Sequence, residues 1–386
     1  MDFTQKQKYV ILAEQLKKED GLEELLKATF KFIMQAEQEE YVRETGDYRN
    51  GYRPRKITGY GRIFELQVPR VRQGTFRPML LGVLKSEEEE CRKLAFALYS
   101  EGLTTSQVGR IYERIYGRCY STSQVSRMFE FARGEAQAWQ NRPLEEYYPI
   151  LYIDATFVMT RRGGECGKEA FYTILAVRAD GSREVLSVVN SPTESATFWH
   201  EIFHGLKRRG MRRTTLVVSD GLKGIEDTIA EEWNGAAVQL CAVHLMRECV
   251  AQVKPADRRE VTEDLKSVFR TGERGRTMQA GYADWQALCR KWGRRYPAFK
   301  SKGQDERYLL YFSFLMYDPR IQSMIYTTNW IERLNRDHKR VLKMRGAMPD
   351  IDSVILLMCN VAISRTAYSR RITAFFNDTE HFDWEE

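Results

Sequence analysis

Two aspartates and a glutamate stand where the local sequence pattern gives a carboxylate a chemical role. Asp154 lies inside the apolar, β-rich segment 151–158, where an acid is costly unless it is paired or binds a cation. Asp220 directly follows the apolar run 216–219, at the end of a predicted strand, which is where open sheets place their active sites. Glu332 lies near the start of a predicted helix. These three acids are therefore candidates for one site.

A purely structural role would also explain each acid. Asp154 could be bonded to the backbone or to an arginine, and the pair Asp220-Gly221 is a common turn after a strand. Asn329 and Glu332 have the spacing of a capping box, which would make the glutamate only a helix cap. Both interpretations of each residue stay open at the level of the sequence.

If the three acids converge, they predict metal-dependent phosphodiester chemistry. Carboxylates at close range repel one another, which raises their pKa values. Two divalent cations, Mg²⁺ or Mn²⁺, would relieve that repulsion; one would activate the attacking oxygen and the other would stabilise the leaving oxygen. The sequence has no convincing Ser-His-Asp or Cys-His set, so no protein nucleophile is predicted.

The segments that must position Asp154 and Asp220 predict a mixed α/β domain, which follows a linker at 141–146. Apolar, β-rich runs predict strands at 150–158, 170–177, 184–189, 214–219 and 236–240, with helices at 194–209 and 222–233. This alternation predicts a sheet with covered faces. Trp199, in the first of these helices, is expected to pack in the core, with stacking near DNA as the alternative. From about 244 to 325 the sequence is helical, and further helices are predicted at 327–345 and from 352.

Residues 1–85 read as a small basic unit, with an amphipathic helix followed by a strand at 64–68 that stops at Pro69. Residues 86–139 read as wholly helical. Thr104 and Ser121 each stand three residues before a glutamine, which is the capping-box spacing at a helix start.

The two short helices that these caps begin suit a helix-turn-helix, with a plain helical bundle as the alternative. Apolar residues recur along each helix at helical spacing, so each predicts a buried stripe. The stripes are Val108, Ile111, Tyr112 and Ile115, and then Val125, Met128, Phe129 and Ala132. The predicted recognition helix would begin with Thr122, Ser123, Gln124 and Arg127.

Basic residues are clustered rather than spread evenly. The chain has 60 basic and 53 acidic residues, so its net charge of +7 permits a polyanionic partner without establishing one. Three clusters favour nucleic acid over a merely solvated surface. The first includes Arg49, Arg53, Arg70 and Arg72, the second spans 207–213, and the third includes Arg336, Lys339 and Arg340.

The sequence also predicts the compartment. No apolar run approaches the roughly 18 residues that span a bilayer, and the N-terminus lacks the apolar stretch of a signal peptide. Seven cysteines without regular spacing fit a reducing environment. We therefore expect a cytoplasmic protein without a membrane partner.

Short segments in a specific order resemble the Mutator-type transposases of bacterial insertion sequences, which belong to the DDE superfamily. They are YRNGYR at 48–53, VPRVR at 68–72 with Gly74 and FRP at 76–78, YIDA at 152–155, VSDGLKG at 218–224, QLCAVHLMR at 239–247, TTN at 327–329 and IERLN at 331–335. Each segment is short, but together they run through most of the chain.

This resemblance implies an RNase H-like catalytic core at 147–244 and 326–350, interrupted by an all-α insertion at 245–325. A basic region at 1–85 and a helix-turn-helix-like domain at 86–140 would precede the core, so the N-terminal DNA-binding region would be mainly helical. A helical segment at 351–386 would follow. Asp154, Asp220 and Glu332 would be the acidic triad.

The resemblance also marks Cys241 and His244 as the family's C-x-x-H element. We expect a structural or orienting role for this pair. A zinc site is the alternative, but it would need further ligands, and Cys249 is the only nearby candidate.

The implied function is binding of an element's terminal inverted repeats, followed by metal-dependent DNA cleavage and strand transfer into target DNA. The partners would be double-stranded DNA and further copies of the chain, at least a dimer on DNA, so the cytoplasmic protein would associate with the nucleoid when bound. The alternatives are a catalytically inactive, transposase-derived DNA-binding protein and a nuclease built on the same core.

Overall fold

The computed structural model describes residues 13–14, 16–18, 20–59, 62–116, 120–191, 195–222 and 224–364, so part of the predicted segment 351–386 lies outside the described residues. The chain divides into two compact units, 1–131 and 132–386. The boundary falls inside a helix, Glu130–Gln140.

The first unit packs two helices against a two-stranded antiparallel sheet. Its elements are α1 (Gly21–Thr45), β1 (Arg49–Gly59), β2 (Arg62–Val71), α2 (Met79–Ser100), α3 (Thr105–Tyr116), α4 (Thr122–Met128) and the start of α5 (Glu130–Gln140). Alternate residues of β2 form the buried face. This core consists of Phe64, Leu66 and Val68 together with Phe30 and Met34 of α1 and Leu80 and Leu84 of α2.

The prediction that the second strand stops at Pro69 is wrong, because β2 continues to Val71. Pro69 lies opposite Tyr52, where the register between the strands is irregular and Gly51 has a φ of +65°. Both strands are edge strands in a two-stranded sheet, so a proline that cannot donate a hydrogen bond is tolerated there. The strand over 49–59 was not predicted from its Gly-, Tyr- and Arg-rich sequence.

Both predicted capping boxes are confirmed. At the start of α3, Gln107 N donates to Thr104 Oγ1 (3.2 Å) and Thr104 N donates to Gln107 Oε1 (2.8 Å). Ser121 and Gln124 make the same reciprocal pair at the start of α4.

The buried stripes are shorter than predicted. Val108 and Tyr112 are fully buried, but Ile115 is 61% exposed and Ile111 is only half-buried. In the second stripe Met128 is half-buried, whereas the other predicted members are buried. The apolar face of α3 therefore ends one turn earlier than the sequence pattern indicates.

All five predicted strands of the second unit are present, in one mixed sheet of order β5-β4-β3-β6-β7. They are β3 (Tyr147–Arg162), β4 (Glu165–Val177), β5 (Arg183–Ser191), β6 (Arg213–Ser219) and β7 (Ala237–Leu240). The strands β5, β4 and β3 are antiparallel neighbours, whereas β6 and β7 continue the sheet in parallel with β3. Gly163 and Gly164, both with positive φ, close the hairpin between β3 and β4, as a tight two-residue turn requires.

Helices cover both faces of this sheet. One face packs against α6 (Ala196–Arg208) and α7 (Ile225–Glu232), and Trp199 is fully buried there, which confirms its predicted packing role. The opposite face packs against α13 (Asn329–Lys343) and α14 (Ile351–Ser364). Because alternate residues of a strand point to opposite faces, the part of β3 up to Asp154 is buried on both sides and is a nearly continuous apolar run, whereas Phe157 and Met159 beyond it are exposed.

Helical segments fill the chain between β7 and α13. They are α8 (Ala242–Ala251), a 3₁₀ turn (Pro255–Asp257), α9 (Arg258–Val268), α10 (Met278–Gly293), α11 (Pro297–Lys302), a longer 3₁₀ segment (Glu306–Met316) and α12 (Pro319–Ile325). Each helix in the described part of the chain is too short or too polar to span a bilayer.

Candidate active site

Two of the three acids lie side by side on neighbouring parallel strands. Ile153 of β3 is the register partner of Ser219 of β6, so Asp154 and Asp220, one residue further on, lie at the same level of the sheet. Asp154 is 6% exposed and Asp220 is half-buried. Burial, followed by the negative charge of Asp220, raises the pKa of Asp154 to about 7. The structure thus brings these two carboxylates together at a cost that a cation would remove.

The carboxylate of Asp154 is held by two donors. Its Oδ1 accepts the backbone N–H of Ala155 (2.9 Å), and its Oδ2 accepts Nδ2 of Asn335 (2.8 Å). Asn335 is buried on α13, the helix that covers this face of β3. Both donors favour the ionised carboxylate, but they do not offset burial and the charge of Asp220.

Glu332 lies one turn before Asn335 on α13 and faces residues of α8. Its carboxylate forms a two-pronged ion pair with Arg247, with N–O distances of 2.9 and 3.4 Å. His244 Nε2 lies 3.7 Å from Glu332 Oε1. The structure therefore places the third acid beside the C-x-x-H segment.

The capping-box interpretation of Glu332 is wrong. The helix begins at Asn329, so Thr328 and not Asn329 is the cap residue, and no side-chain cap hydrogen bond is present. Asn329 is exposed, and its backbone N–H donates to Thr327 Oγ1. The glutamate therefore has no capping role.

Cys241 and His244 form a tightly coupled pair at the junction of β7 and α8. Burial alone would raise the pKa of Cys241, but the interactions with His244 and Thr328 together outweigh burial and lower it. Cys241 in turn raises the pKa of His244 to about 9, and the charges of Asp154 and Asp220 act in the same direction. The surroundings of His244 thus favour its protonated form, next to the negative charges of Asp154 and Asp220.

The Cys241 sulfur also ties β7 to the start of α13. The sulfur accepts hydrogen bonds from the backbone N–H and the hydroxyl of Thr328, each at 3.4 Å. The backbone N–H of Cys241 donates to Ser219 O (2.7 Å). These contacts connect the strand end before Asp220 with the helix that carries Glu332. Within the described residues, Cys249 does not join Cys241 and His244 in a three-ligand group.

Sequence reasoning assigned no role to Arg247 or Asn335, although both lie in the recognised segments. Their spacing could have indicated a role in the site. Asn335 follows Glu332 by three residues and Arg247 follows His244 by three, so each lies on the same helix face as a predicted site residue. Arg247 contacts Glu332, which is 85 residues away in sequence, and Asn335 contacts Asp154, which is 181 residues away. A single sequence does not reveal contacts between such distant residues.

The residues predicted to contact DNA in the first unit lie on two elements. On the hairpin, Arg49, Arg53, Arg70 and Arg72 are exposed, and Arg49 pairs with Glu39 at 2.7 Å. On α4, Thr122, Ser123 and Arg127 are exposed, whereas Gln124 is half-buried and its carbonyl oxygen is used in the helix cap. The side-chain oxygen of Gln124 is therefore already committed within the protein.

The third basic cluster lies on the outer face of α13. Arg336, Lys339 and Arg340 are exposed, while Ile331, Leu334, Asn335, His338 and Leu342 form the buried face of the same helix. The second cluster is partly structural. Lys207 pairs with Glu232, and Arg209 donates to the carbonyl oxygens of Arg142 and Leu186.

Comparison with known proteins gives the family. Residues 3–369 match the family described as "Transposase, Mutator family". The chain is 32% identical over 348 residues to a probable transposase for insertion sequence element ISRM3-like of Sinorhizobium fredii, covering 88% of this chain and 86% of that protein. It is 32% identical over 350 residues, with the same coverage, to the transposase for insertion sequence element ISRM3 of Rhizobium meliloti.

A third relative extends the range of organisms. The transposase for insertion sequence element IS905 of Lactococcus lactis is 30% identical over 314 residues, covering 80% of this chain and 78% of that protein. Since this mixed α/β chain matches the family and these relatives over most of its length, it is a transposase. It belongs to the Mutator family, and the two relatives from Sinorhizobium fredii and Rhizobium meliloti are named as transposases for insertion sequence elements. Transposases in general cut and join DNA strands and use divalent metal ions.

Proposed function

We propose that this protein is an active DDE transposase, in which Asp154, Asp220 and Glu332 hold two divalent cations at a scissile phosphate of DNA. The observation that carries this proposal is the placement of Asp154 and Asp220 at one level of neighbouring strands, where burial, followed by the charge of Asp220, raises the pKa of Asp154. DNA binding alone would not call for two neighbouring acids, one buried and one half-buried, on adjacent strands. The inactive alternative has no support among the relatives, which are named as transposases.

The residues present fit Mg²⁺ or Mn²⁺. Carboxylate oxygens are the ligands that these hard cations prefer, and a cation between Asp154 and Asp220 would relieve the repulsion between them. Bound cations supply an activated attacking oxygen and stabilise the leaving oxygen. Since Asp154 is buried and Asp220 half-buried, the charge of the cations would act in a weakly screened environment.

Glu332 would join the cation ligands only after its ion pair with Arg247 opens. Arg247 is exposed, and its guanidinium would then be available to a DNA phosphate. We therefore propose that the ion pair between Glu332 and Arg247 breaks when DNA and metal bind. Glu332 would move to the cations and Arg247 would move to the nucleic acid.

Each remaining residue of the site has a proposed task in this reaction. Asn335 holds the Asp154 carboxylate in one orientation. Cys241 and His244 orient the end of β7 relative to α13, which is the structural role expected for the C-x-x-H element. Water would attack the phosphodiester at the element's end and free a 3′-hydroxyl, which would then attack a second phosphodiester in target DNA.

We also propose that the catalytic core is RNase H-like and is interrupted by a helical insertion. In support, the five-stranded mixed sheet has order β5-β4-β3-β6-β7, with helices on both faces. In further support, the chain from Ala242 to Ile325 is built of helical segments and returns to the sheet with α13.

The first unit and the outer face of α13 are the proposed DNA contacts. The exposed arginines of the β1–β2 hairpin and the exposed residues of α4 would bind the terminal inverted repeats, and Arg336, Lys339 and Arg340 would contact backbone near the acids. Two DNA ends must be brought together for transposition, so we propose at least a dimer on DNA.

The test of this function is a labelled duplex that carries the end of the element, incubated with the full chain. We expect binding without metal, and nicking and joining only after Mg²⁺ or Mn²⁺ is added. A duplex with a scrambled end is the matched control and should be neither bound specifically nor cut. Specific binding without cleavage under either metal would instead establish the inactive DNA-binding alternative.

Asn335→Ala is expected to lower both stability and activity, because it removes a donor from a buried carboxylate. Hydrogen bonds to charged groups contribute about 1.5–3 kcal/mol, and loss of a group that orients a metal ligand typically costs about 10–100-fold in activity. Urea denaturation and Mg²⁺-dependent cleavage would measure the two effects.

Asn190→Ala is the matched control for Asn335→Ala. Asn190 is half-buried, and its Nδ2 also donates to an oxygen atom, the half-buried carbonyl of Ala170 (2.9 Å), but Asn190 lies on β5. This variant should lose stability and keep its cleavage rate per folded molecule. Equal loss of activity in both variants would show that Asn335 acts through general stability alone.

A further inference from the structure

Two histidines and a glutamate meet on the helices α6 and α7. His200 and His204 are four residues apart on α6, so both face the same side of that helix. Glu232, the last residue of α7, lies between them: its Oε1 is 2.8 Å from His200 Nδ1 and 3.2 Å from His204 Nε2. One potential ligand atom from each residue lies within 4.8 Å of the others.

The outer contacts of this group match those that orient metal ligands. His200 uses its other nitrogen, Nε2, to contact Glu231 Oε2 at 2.9 Å, which fixes the ring with Nδ1 toward Glu232. Lys207 Nζ donates to the second oxygen of Glu232 at 2.6 Å and leaves Oε1 directed at the histidines. A carboxylate on the far nitrogen of a ligating histidine is the usual second contact of such sites.

We propose that His200, His204 and Glu232 form a zinc site that nothing in the transposition reaction requires. Two imidazole nitrogens and one carboxylate oxygen are a zinc ligand set, with ligands at about 2.0–2.2 Å from the metal. Tetrahedral ligands at that radius are about 3.3 Å apart, so the observed separations of 2.8 and 3.2 Å need only a small expansion. His204 is 63% exposed, which leaves the fourth position to water.

This site is separate from the acidic residues in both place and chemistry. Asp220 precedes α7, whereas Glu232 ends it, and eight helical residues span about 12 Å. The acids offer only oxygen and suit Mg²⁺, whereas imidazole nitrogen selects zinc over Mg²⁺. A zinc ion here would join α6 to α7, which together cover one face of the catalytic sheet. Its role is therefore to stabilise that helical layer.

The test is calorimetric titration of the chelator-treated full chain with Zn²⁺ in buffer that contains excess Mg²⁺. We expect one zinc ion per chain with micromolar or tighter affinity, and a higher Tm in the presence of zinc. His200→Ala and His204→Ala should each weaken binding at least about tenfold and remove the Tm increase, while Glu231→Gln should weaken binding about tenfold. His204 is exposed, so circular dichroism of its variant should match that of the wild type.

Cys166→Ser is the matched control for adventitious binding, because Cys166 is an exposed thiol on the β3–β4 hairpin. Its zinc affinity should equal that of the wild type. Wild type without zinc binding would show that the cluster is only a set of ion pairs, and unchanged affinity in His204→Ala would place the zinc elsewhere. Either result would overturn the proposal.

Discussion

Asp154→Asn and Asp220→Asn are each expected to reduce strand cleavage and joining by at least about a thousandfold while DNA binding survives. A bound cation contributes several kcal/mol of charge stabilisation in the transition state, and about 4 kcal/mol corresponds to a thousandfold in rate. Each asparagine keeps the shape of the side chain but removes the charge that would hold the cation. Cleavage of a labelled element end under saturating DNA and Mg²⁺ measures the effect.

Asp154→Asn is expected to stabilise the metal-free protein, although it reduces strand cleavage. The pKa of Asp154 is raised in the folded protein, so its ionised form destabilises the fold above the unfolded-state pKa, and this penalty is present at neutral pH. Removing the charge should therefore raise the Tm of the metal-free protein by a few degrees. Added Mg²⁺ should then stabilise the wild type but not the variant.

Asp257→Asn is the matched control, because Asp257 is also a buried aspartate but has a cationic partner. It accepts from Arg295 at 2.7 Å and from the hydroxyl of Tyr296. Its variant should lose stability and keep the cleavage rate per folded molecule. If Asp154→Asn instead lost stability like Asp257→Asn and cleaved at the wild-type rate, Asp154 would be a structural residue.

The sequence was sufficient for the sheet and for the position of the two aspartates on it. Strands that are buried on both faces are long apolar runs, so an acid within one, such as Asp154, is conspicuous. Asp220 was conspicuous for a related reason, because it ends such a run. Since β3 and β6 are parallel neighbours, Asp154 in the middle of β3 and Asp220 just past the end of β6 lie at one level once the sheet forms.

The partners of the acids could not be predicted, because they depend on how helices pack across the sheet. Glu332 looked like a helix cap since Asn329 has the correct spacing, and only the true helix start at Asn329 removes that explanation. The cluster of His200, His204 and Glu232 was missed for the same reason. Its members are close only because α6 and α7 lie side by side.

Glu332→Ala is expected to reduce cleavage at least about a hundredfold, whereas Arg247→Ala should reduce it less than about tenfold. The reason is that Glu332 is proposed to act on the cations and Arg247 only on Glu332 and on DNA backbone. The Mg²⁺ concentration for half-maximal cleavage separates the two roles. It should rise in Glu332→Ala and stay equal or fall in Arg247→Ala, because loss of the arginine frees the carboxylate for metal.

The double variant decides between this role and a purely structural ion pair. If Glu332 served only to hold Arg247, then either single change and the double change would have the same effect, as expected for residues that act as one unit. If Glu332 is a metal ligand, the double variant should match Glu332→Ala and remain far less active than Arg247→Ala.

Arg259→Ala is the control, because Arg259 pairs with Glu263 on the exposed surface of α9, and its loss should leave cleavage and the Mg²⁺ requirement unchanged. An Arg247→Ala variant as inactive as Glu332→Ala, with the same Mg²⁺ requirement as the wild type, would remove Glu332 from the metal site and leave the two aspartates to hold the cations with another ligand.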